Sequence, residues 1–465
     1  MRKTRIICTL GPATESPEML RKMLAAGADV FRLNMSHARH DWCREVVPRI
    51  REASHEVGRT VGVLFDLQGP SIRTGDVDGK IELEKGDLVE FRNEGTEPNL
   101  EKSTTVNYPG LMSDVVEGDD FTADNGELLM KVARIEDDRL ICRAVTAGHM
   151  GSRRHINLPG VRLKLPALTE KDKADIILAA ECEADFVAGS FVRDAEHVRD
   201  LRAALEAEDS QAEIVSKLED QEAIRNLDEI IRESDVIMVA RGDLGIEVHI
   251  EELPIIQRRI VKRCHQLGRR VIVATHMLES MTENPTPTRA EVTDVSNAVY
   301  EEADAIMLSG ETTVGKHPIR CVELMDRVAR RIERSGGLGY GKEATLRTEK
   351  QKVIQAACGL ADSIPQALLL VFTRSGLTAH QTALLRPRSP IFAFTPKSSL
   401  CSKFTLSRGV RSFKVKFDDP PRKTIANAIT FLQQERELEE GTPIIVVSEI
   451  HGEGTSVDAI LVEHA

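Results

Sequence analysis

A lysine and a glutamate two residues apart are the first candidates for chemistry in this sequence. Lys217 and Glu219 stand in the otherwise apolar run EIVSKLE, residues 213–219. Residues i and i+2 of a β-strand face the same side, so both charges would point the same way. A surface ion pair is the ordinary interpretation. Burying a lysine and a glutamate costs free energy, and a strand with only a structural role gains nothing from these charges. We therefore interpret the pair as part of a functional site.

A second carboxylate follows another apolar run, in RGDLGI at residues 241–246. The Arg-Gly-Asp triplet is a chance match to an adhesion motif. Its glycines instead expose backbone N–H groups that can approach an anion, which leaves Asp243 free to bind a metal. Two carboxylates, Glu219 and Asp243, suit Mg²⁺ or Mn²⁺, which keep several waters and accept substrate oxygens.

Cationic side chains complete a set typical of phosphoryl transfer. Arg32, Arg73 and Lys217 would surround a phosphoryl group with positive charge. No Cys or Ser-His nucleophile accompanies them, which favours direct transfer. The chain has no GxxxxGK[ST] motif and no HRD/DFG set, so a nucleotide must be held in another way. His37 and His276 fall near the same groups, but neither has a second histidine at metal-ligand spacing.

The elements that must position these residues alternate between short β-branched runs and longer amphipathic segments. The short runs lie at 4–10, 29–34, 61–66, 185–192, 213–219, 235–241, 270–276 and 304–310. Eight parallel strands separated by helices predict a (β/α)₈ barrel, with an open doubly wound sheet as the alternative. In a barrel, residues at the carboxyl ends of the strands share one mouth. The residues at these ends include Arg32, Asn34, Ser36, Asp66, Lys217, Glu219, Asp243 and Thr275.

Two further regions interrupt and follow the barrel pattern. Residues 76–160 contain alternating runs broken by Gly and Asp, which predict hairpins of a small β-rich lid at the barrel mouth. The barrel would therefore consist of residues 1–75 and 161–340. A Gly-rich linker then leads into a C-terminal α/β domain, residues 345–465.

Composition narrows the class of protein. The chain has 465 residues, a net charge of −12, one Trp and three Tyr, which argues against a nucleic-acid or anionic-membrane surface. Its eight cysteines are scattered without CxxC pairs, as expected for a reducing compartment. The first residues, MRKTRIICTLGP, predict a strand rather than a signal peptide, so we expect a cytoplasmic protein.

With these residues in view, the sequence strongly resembles the pyruvate kinase family. The matching motifs run in order along the barrel and include CTLGPAT (8–14), FRLNMSH (31–37), LQGPSIRTG (67–75), INLPGV (156–161), SKLEDQE (216–222), MVARGDLGIE (238–247), ATHMLESM (274–281), PTRAEVTDVSNAV (287–299) and AIMLSGET (305–312). The 76–160 insertion falls where that family has its B domain. The last domain is similar to the family's C-terminal regulatory domain.

The resemblance implies transfer of the phosphoryl group of phosphoenolpyruvate to ADP, giving pyruvate and ATP in glycolysis. By position, Arg32 would contact the transferring phosphate, Lys217 would stabilise its charge, and Glu219 and Asp243 would hold Mg²⁺ or Mn²⁺. The backbone amides of Gly242 and Asp243 would bind the substrate carboxylate, and Thr275 would lie on the protonation face of the enolate. The residues assigned to the nucleotide are Asn34, Ser36, His37, Arg73 and Arg154.

The family's monovalent-cation site corresponds to Asn34, Ser36, Asp66 and the carbonyl of Leu67. Potassium-dependent relatives typically read Asp-Thr-Lys-Gly-Pro-Glu here, and potassium-independent ones Asp-Leu-Gln-Gly-Pro-Lys, in which the lysine replaces the ion. This chain has Leu67 and Gln68 but Ser71 at the deciding position. An uncharged serine cannot replace a cation, so we expect K⁺ to be used.

Regulation and assembly rest on the same resemblance. Thr373, Ser375, Gly376 and Thr378 correspond to an effector-phosphate loop, which implies a sugar-phosphate or nucleotide effector, while Leu377 stands where a basic residue is frequent and argues against fructose 1,6-bisphosphate. Other departures from the family pattern are Met35 and Ala38 around Ser36-His37, Arg154 for a lysine, and His276 for a glutamine. The family also implies a homotetramer.

Two other classes of function remain compatible with the carboxylates and the lysine. A barrel lyase or aldolase acting on oxaloacetate-like substrates would use the same metal and an enolate, but it leaves the nucleotide-side arginines and the lid unexplained. A catalytically inactive binding protein on the same fold is the third class, although every inferred catalytic position is occupied.

Overall fold

The first barrel segment contains three strands and the two helices between them. A computed structural model describes residues 2–124, 126–418, 420–435, 437–452 and 455–465, without the side chains of 449–457. The elements are β1 (Arg5–Thr9), α1 (Pro17–Ala26), β2 (Val30–Asn34), α2 (His40–Val57) and β3 (Gly62–Asp66). Each strand is almost entirely buried, as expected when helices cover one face of a sheet and a core fills the other.

The lid follows β3 and is built almost entirely of strands. Its elements are β4 (Ile72–Arg73), β5 (Ile81–Leu83), β6 (Leu88–Asn93), β7 (Ser103–Val106), α3 (Leu111–Asp114), β8 (Asp120–Ala123), β9 (Leu128–Ile135), β10 (Arg139–Ala144), β11 (Gly148–Met150) and β12 (His155–Asn157). Seven of these strands form one mixed sheet in the order β4-β12-β8-β9-β10-β6-β7, and β11 pairs with β5. The predicted β-rich insertion is therefore present.

The second barrel segment supplies the other five strands. Its elements are α4 (Glu170–Glu181), β13 (Phe186–Gly189), α5 (Ala195–Ala207), β14 (Glu213–Leu218), α6 (Gln221–Arg225), α7 (Leu227–Glu233), β15 (Val236–Ala240), α8 (Arg241–Glu247), α9 (Leu253–Leu267), β16 (Arg270–Ala274), α10 (Arg289–Tyr300), β17 (Ala305–Leu308), α11 (Gly310–Thr313) and α12 (Pro318–Glu333). Helices α4 and α10 begin with capping boxes at Thr169 and Thr288, which satisfy the first free N–H groups.

The C-terminal domain is a five-stranded sheet with helices. Its elements are α13 (Glu349–Ser363), β18 (Leu368–Phe372), α14 (Leu377–Leu384), β19 (Ile391–Thr395), α15 (Ser398–Lys403), β20 (Val410–Lys414), α16 (Pro421–Gln434), β21 (Pro443–Gly452) and β22 (Thr455–His464). The order is β20-β19-β18-β21-β22, in which β22 is antiparallel to β21. This last strand was not predicted, because its polar and apolar residues give no run bounded by turn signals.

The eight predicted barrel strands close into one parallel barrel, in the order β1-β17-β16-β15-β14-β13-β3-β2. The closed barrel confirms the predicted fold class over the open-sheet alternative. Its interior is filled by buried apolar side chains such as Ile7, Phe186 and Met238. The C-terminal domain contributes Leu406 to this interior, from a 3₁₀ turn at Phe404–Leu406. Within the described residues, no helix combines the length and apolar character needed to cross a bilayer.

Candidate active site

A buried cluster of four charges lies at the carboxyl ends of β2, β3 and β14. Lys217 Nζ is 3.2 Å from Asp66 Oδ1 and 2.9 Å from Glu219 Oε1. Arg32 Nε donates to Asp66 Oδ2 at 2.5 Å, and its Nη1 donates to Thr9 Oγ1 at 3.0 Å. Strand pairing brings the side chains of Arg32 and Asp66 close together, because β2 lies beside β3 with Asn34 opposite Asp66. The predicted Arg32, Asp66, Lys217 and Glu219 are thus brought together.

The charges in this cluster set one another's protonation. Burial lowers the pKa of Lys217, but the carboxylates of Asp66 and Glu219 outweigh it and hold that pKa above its ordinary value. Burial raises the pKa of Asp66, but Arg32 and Lys217 bring it below its ordinary value. The lysine is therefore a fixed cation, suited to electrostatic stabilisation rather than to giving up a proton.

Asp243 reaches the same mouth from the first turn of α8. The Gly242 amide donates to Thr275 Oγ1 at 2.8 Å, so the two predicted substrate-binding elements touch each other. Thr275 and His276 both have left-handed backbone, with φ of 70° and 53°. Arg241 holds this turn by donating to the Thr275 carbonyl at 2.6 Å. Strained backbone of this kind persists only where surrounding contacts fix it, and it is common at active sites.

Glu219 and Asp243 form a pair of like charges that fits a divalent cation. Burial raises the pKa of Glu219 to about 7; Lys217 lowers it and the neighbouring Asp243 raises it. A cation between the two carboxylates would relieve this repulsion. Among the described residues no group of three or more His, Cys, Asp or Glu forms a complete protein cage. Two carboxylates are what Mg²⁺ or Mn²⁺ requires when substrate and water supply the remaining oxygens.

The residues predicted for a monovalent cation also offer oxygens. Asp66 Oδ1 is buried and, apart from its ion pair with Lys217, has no aligned hydrogen-bond donor among the described residues. The Leu67 carbonyl accepts from Ser190 Oγ at 2.8 Å, and Asn34 Oδ1 accepts from the Ser36 amide at 3.2 Å. An underused buried carboxylate oxygen beside a carbonyl fits a hard cation such as K⁺.

A cavity of about 760 Å³ opens next to this cluster. It is lined by the predicted Arg32, Asn34 and His37. It is also lined by Trp42, the single tryptophan of the chain, whose indole N–H donates to Glu15 at 2.5 Å. A cavity of this size with one aromatic wall and a cationic end suits a nucleotide.

Two arginines predicted to face the nucleotide lie in the lid, outside this cavity. Arg73 Nε donates to Ser71 Oγ at 3.2 Å, and its Nη1 donates to the Arg153 carbonyl at 3.2 Å. Arg154 Nη1 is 3.2 Å from Asp124 Oδ1. Neither arginine borders the large cavity, nor does Ser36.

The lid strand β12 rests on helix α8 through two polar contacts. His155 Nδ1 is 3.9 Å from Asp243 Oδ1, and Asn157 Nδ2 donates to Glu247 Oε1 at 3.1 Å. Residues two apart on the strand thus meet residues four apart on the helix. Burial raises the pKa of Glu247 to about 7.

Sequence reasoning missed several residues of the site. Ser190, at the end of β13, receives a hydrogen bond from Lys217 at 2.7 Å. Phe191 has φ of 53°, donates its amide to Glu219 at 2.6 Å and packs its ring against His155. The strand-end run GSFV was the available signal for the first two. No sequence signal pointed to Trp42 or His155, because helix α2 and the lid bring them to the mouth only in the folded chain.

The predicted effector loop lies in the C-terminal domain, before α14. Thr373 Oγ1 accepts from the Gly376 amide at 2.9 Å, and Gly376 has φ of 90°, which glycine adopts without strain. Thr373 and Thr378 are buried, whereas Leu377 is half-exposed. The loop therefore brings the four predicted residues close to one helix start.

The barrel and the C-terminal domain each match a family model. The model described as "Pyruvate kinase, barrel domain" matches residues 1–322, and "Pyruvate kinase, alpha/beta domain" matches 351–462. The chain is 41% identical to a pyruvate kinase of Sporosarcina psychrophila over 421 residues, which are 88% of this chain and 71% of that one. It is 40% identical to a pyruvate kinase of Geobacillus stearothermophilus over 419 residues, with the same coverage.

A solved structure agrees over nearly the whole length. A pyruvate kinase from Cryptosporidium parvum superposes with a TM-score of 0.94 at 33% identity, covering 99% of this chain and 96% of that one. The match includes all three regions. This chain therefore belongs to the pyruvate kinase family of phosphotransferases.

Proposed function

We propose that the chain transfers the phosphoryl group of phosphoenolpyruvate to ADP, giving pyruvate and ATP. The observation that carries this proposal is the buried Lys217, held as a cation between Asp66 and Glu219 and beside Arg32. Two adjacent cations at a mouth with a nucleotide-sized cavity match a reaction in which negative charge moves between two bound anions.

Arg32 and Lys217 act on the phosphoryl group in flight. Arg32 contacts the transferring phosphate, and Lys217 stabilises the charge that spreads over its equatorial oxygens. Asp66 orients both cations, because it pairs with each of them.

Glu219 and Asp243 would hold the divalent cation, with Mg²⁺ or Mn²⁺ as the ions that two carboxylates and substrate oxygens suit. The cation, when bound, supplies a Lewis acid that neutralises charge on the phosphate and on the enolate oxygen. The monovalent cation would be K⁺ at Asn34, Ser36, Asp66 and the Leu67 carbonyl.

The Gly242 and Asp243 amides, in the first turn of α8, bind the substrate carboxylate. The Gly242 amide donates to Thr275 Oγ1 in the structure, so an arriving carboxylate would take over this hydrogen bond. The Thr275 hydroxyl donates to the Ala274 carbonyl at 2.7 Å, so this exchange frees an acceptor position on its oxygen. The hydroxyl then lies beside the enolate and takes part in the relay that protonates it.

ADP would lie in the cavity beside Arg32, with Asn34, Ser36 and His37 on the barrel side. Arg73 and Arg154 would reach it from the lid when the lid moves over the bound nucleotide. Trp42 offers a flat apolar face for the base.

Regulation, assembly and location follow the family. A phosphate-bearing effector would bind at Thr373, Ser375, Gly376 and Thr378. The working form would be a homotetramer. The eight cysteines are all free, as in a protein of the reducing cytoplasm.

A coupled assay tests the reaction. Pyruvate formation from phosphoenolpyruvate should require ADP and Mg²⁺, and Lys217→Met should lower kcat by about 10²- to 10³-fold, since a missing electrostatic group at a transition state costs about 2.7–4 kcal/mol. Lys22→Met, which removes an exposed lysine of α1, is the matched control and should keep full turnover. ADP-independent turnover, or full turnover of Lys217→Met, would overturn the proposal.

A further inference from the structure

A second large cavity lies at the opposite end of the barrel from the active site. It has a volume of about 520 Å³ and lies where the chain before β1, the linker after α12 and the C-terminal domain meet. Four linker glycines at 336, 337, 339 and 341 form part of its wall, which leaves room for a guest. No residue of the 373–378 loop or of the active site borders it.

One side chain in this cavity is buried without a partner. Arg408 is only 8% exposed, yet within the part of the chain that the structure describes its guanidinium makes no hydrogen bond and no ion pair. Its Nε is fully buried and unsatisfied. A buried charge without a partner costs several kcal/mol, so a protein keeps one where something else completes it.

The neighbouring charges are already satisfied by the protein. Arg386 forms a bidentate pair with Asp304, at 2.8 and 2.7 Å. Lys3 Nζ donates to the carbonyls of Pro387 and Arg388. The acidic residues accept backbone N–H groups: Glu333 from Lys3 and Thr4, Glu302 from Tyr340, and Asp362 from Arg388 and Ser389. Burial lowers the pKa of Arg408 and the nearby Glu333, Glu302 and Asp304 oppose this, but among the described residues none of these acids lies within ion-pair distance of its guanidinium.

The lining carries a surplus of positive charge. Five cationic side chains border the cavity, Lys3, Lys342, Arg386, Arg388 and Arg408, against three acidic ones, Glu302, Glu333 and Asp362. Burial, followed by the nearby Arg408, lowers the pKa of Lys3 to about 8, while Glu333, Asp362 and Glu302 raise it. When Asp304, the partner of Arg386 outside the lining, is counted as well, one positive charge is left over, and an anionic guest paired with Arg408 would balance it.

We propose that this cavity binds a small organic dianion whose oxygens pair with the guanidinium of Arg408. A guanidinium presents parallel N–H groups that match two oxygens of one phosphate or carboxylate. The volume lies within the usual range for small-molecule sites. The shared chemistry is a pair of oxyanion charges, which either a phosphate monoester or a dicarboxylate supplies.

Such a ligand joins two parts of the molecule. Lys3 precedes the first barrel strand, and Arg408 follows the 3₁₀ turn that inserts Leu406 into the barrel interior. The Gly409 amide donates to the Lys3 carbonyl at 2.9 Å, so the two walls are already tied together. A bound dianion stabilises this junction and leaves the substrate site free.

The ligand-free protein gives the first test. Arg408→Met removes an unpaired buried charge, so its melting temperature should equal or exceed that of the unmodified chain. Arg386→Met is the control, because it leaves Asp304 buried and unpaired and should melt several degrees lower. If Arg408→Met melts as low as Arg386→Met, the arginine is a structural partner and the proposal is wrong.

Ligand titration gives the second test, with glycerol 3-phosphate and succinate as probes and glycerol as the neutral control. At low ionic strength, at least one dianion should raise the melting temperature saturably by about 2–4 °C. Calorimetry should show binding at least ten-fold weaker in Arg408→Met. Lys342→Met, which removes one exposed charge from the same lining, should bind within about three-fold of the unmodified chain, since an exposed charge contributes little.

Each result of the titration has a separate interpretation. A response to glycerol 3-phosphate alone assigns a phosphate monoester, and a response to succinate alone assigns a dicarboxylate. No response to either dianion, an equal response to glycerol, or an undiminished response of Arg408→Met overturns the proposal. Neither test measures turnover, so their results do not depend on whether the proposed reaction is correct.

Discussion

Asp66 is the residue that organises the charges of the candidate active site. It accepts from Arg32 at 2.5 Å, lies 3.2 Å from Lys217, and is 1% exposed. Without this carboxylate the two cations would lose their shared partner, because no other described acid pairs with both of them; Lys217 would keep Glu219. The strand thus ends on an aspartate because two cations need a common partner.

Trp42 tests the nucleotide pocket at the level of one side chain. Trp42→Ala should raise KM for ADP by about ten-fold and leave KM for phosphoenolpyruvate within about two-fold, since stacking on a base is worth about 1–3 kcal/mol. Trp42→Phe keeps a flat ring and should lose less. Initial-rate kinetics with each substrate varied in turn would give the two KM values separately. Equal changes in both KM values would argue against a base-stacking role.

Ser71 tests the monovalent cation. Its hydroxyl accepts from Arg73 and carries no charge, so the chain should depend on K⁺. Turnover with tetramethylammonium as the only monovalent cation should be clearly lower than with K⁺. Ser71→Lys, which places an ammonium group near the Asp66 end of the loop, should reduce that difference. Equal rates in both salts for the unmodified chain would mean that no ion is used.

The contact between β12 and α8 links the lid to the barrel at the level of elements. Asn157 on the strand and Glu247 on the helix share a hydrogen bond of 3.1 Å, and Gln221 donates to the Glu247 carbonyl at 2.5 Å. Asp243 lies in the first turn of the same helix that Glu247 ends. A change in lid position would therefore act on the helix that carries Asp243, which we propose as a metal ligand.

Glu247 gives this contact a pH dependence. Burial raises its pKa to about 7; Asn157 and Arg193 lower it, and Asp220 and Asp243 raise it. The folded protein keeps the proton between pH 4.5 and 7 while the unfolded chain releases it, so this group's contribution to stability falls as pH rises through that window. Glu247→Gln still accepts from Asn157 and should remove the fall.

Urea unfolding at pH 5 and pH 8 would measure the effect. The stability of Glu247→Gln relative to the unmodified chain should rise between these pH values, by roughly 1–3 kcal/mol. Glu251→Gln, an exposed glutamate just beyond α8, is the control and should change little. A relative stability that stays constant with pH would contradict the assigned protonation of Glu247.

At the scale of the whole molecule, the barrel is closed from both ends. The lid contacts the mouth through β12 and α8, and the C-terminal domain inserts Leu406 into the other end. The chemistry at the mouth and the cavity around Arg408 are thus separated by the full depth of the barrel interior. Any influence of one on the other must pass through the packed strands.

Assembly is a prediction at the same scale. A homotetramer of 51.5 kDa chains should have a mass of about 206 kDa by light scattering coupled to size-exclusion chromatography. The exposed apolar side chains Ile250 and Ile255, on and beside α9, are consistent with a covered surface there. A mass of one chain at micromolar concentration would rule the tetramer out.

The barrel strands were predictable because each is a short apolar run between turn signals. A strand that is buried on both faces needs an apolar run of this kind. The sequence has eight such runs, which is the number of strands in the closed barrel. The charged set of Arg32, Asp66, Lys217 and Glu219 was predictable because the carboxyl ends of parallel strands share one mouth. Strand β22 escaped prediction, since its pairing depends on its neighbour β21 rather than on its own pattern.

What the sequence determined by itself is therefore the barrel, the lid insertion and the order of charged residues at the strand ends. These depend on local periodicity and on motifs that are written along the chain. Only the tertiary structure decided that Trp42 borders the nucleotide-sized cavity, that His155 and Asn157 meet α8, and that Arg408 is buried without a partner among the described residues. Burial and contact between distant segments arise from packing, and one-dimensional spacing does not contain them.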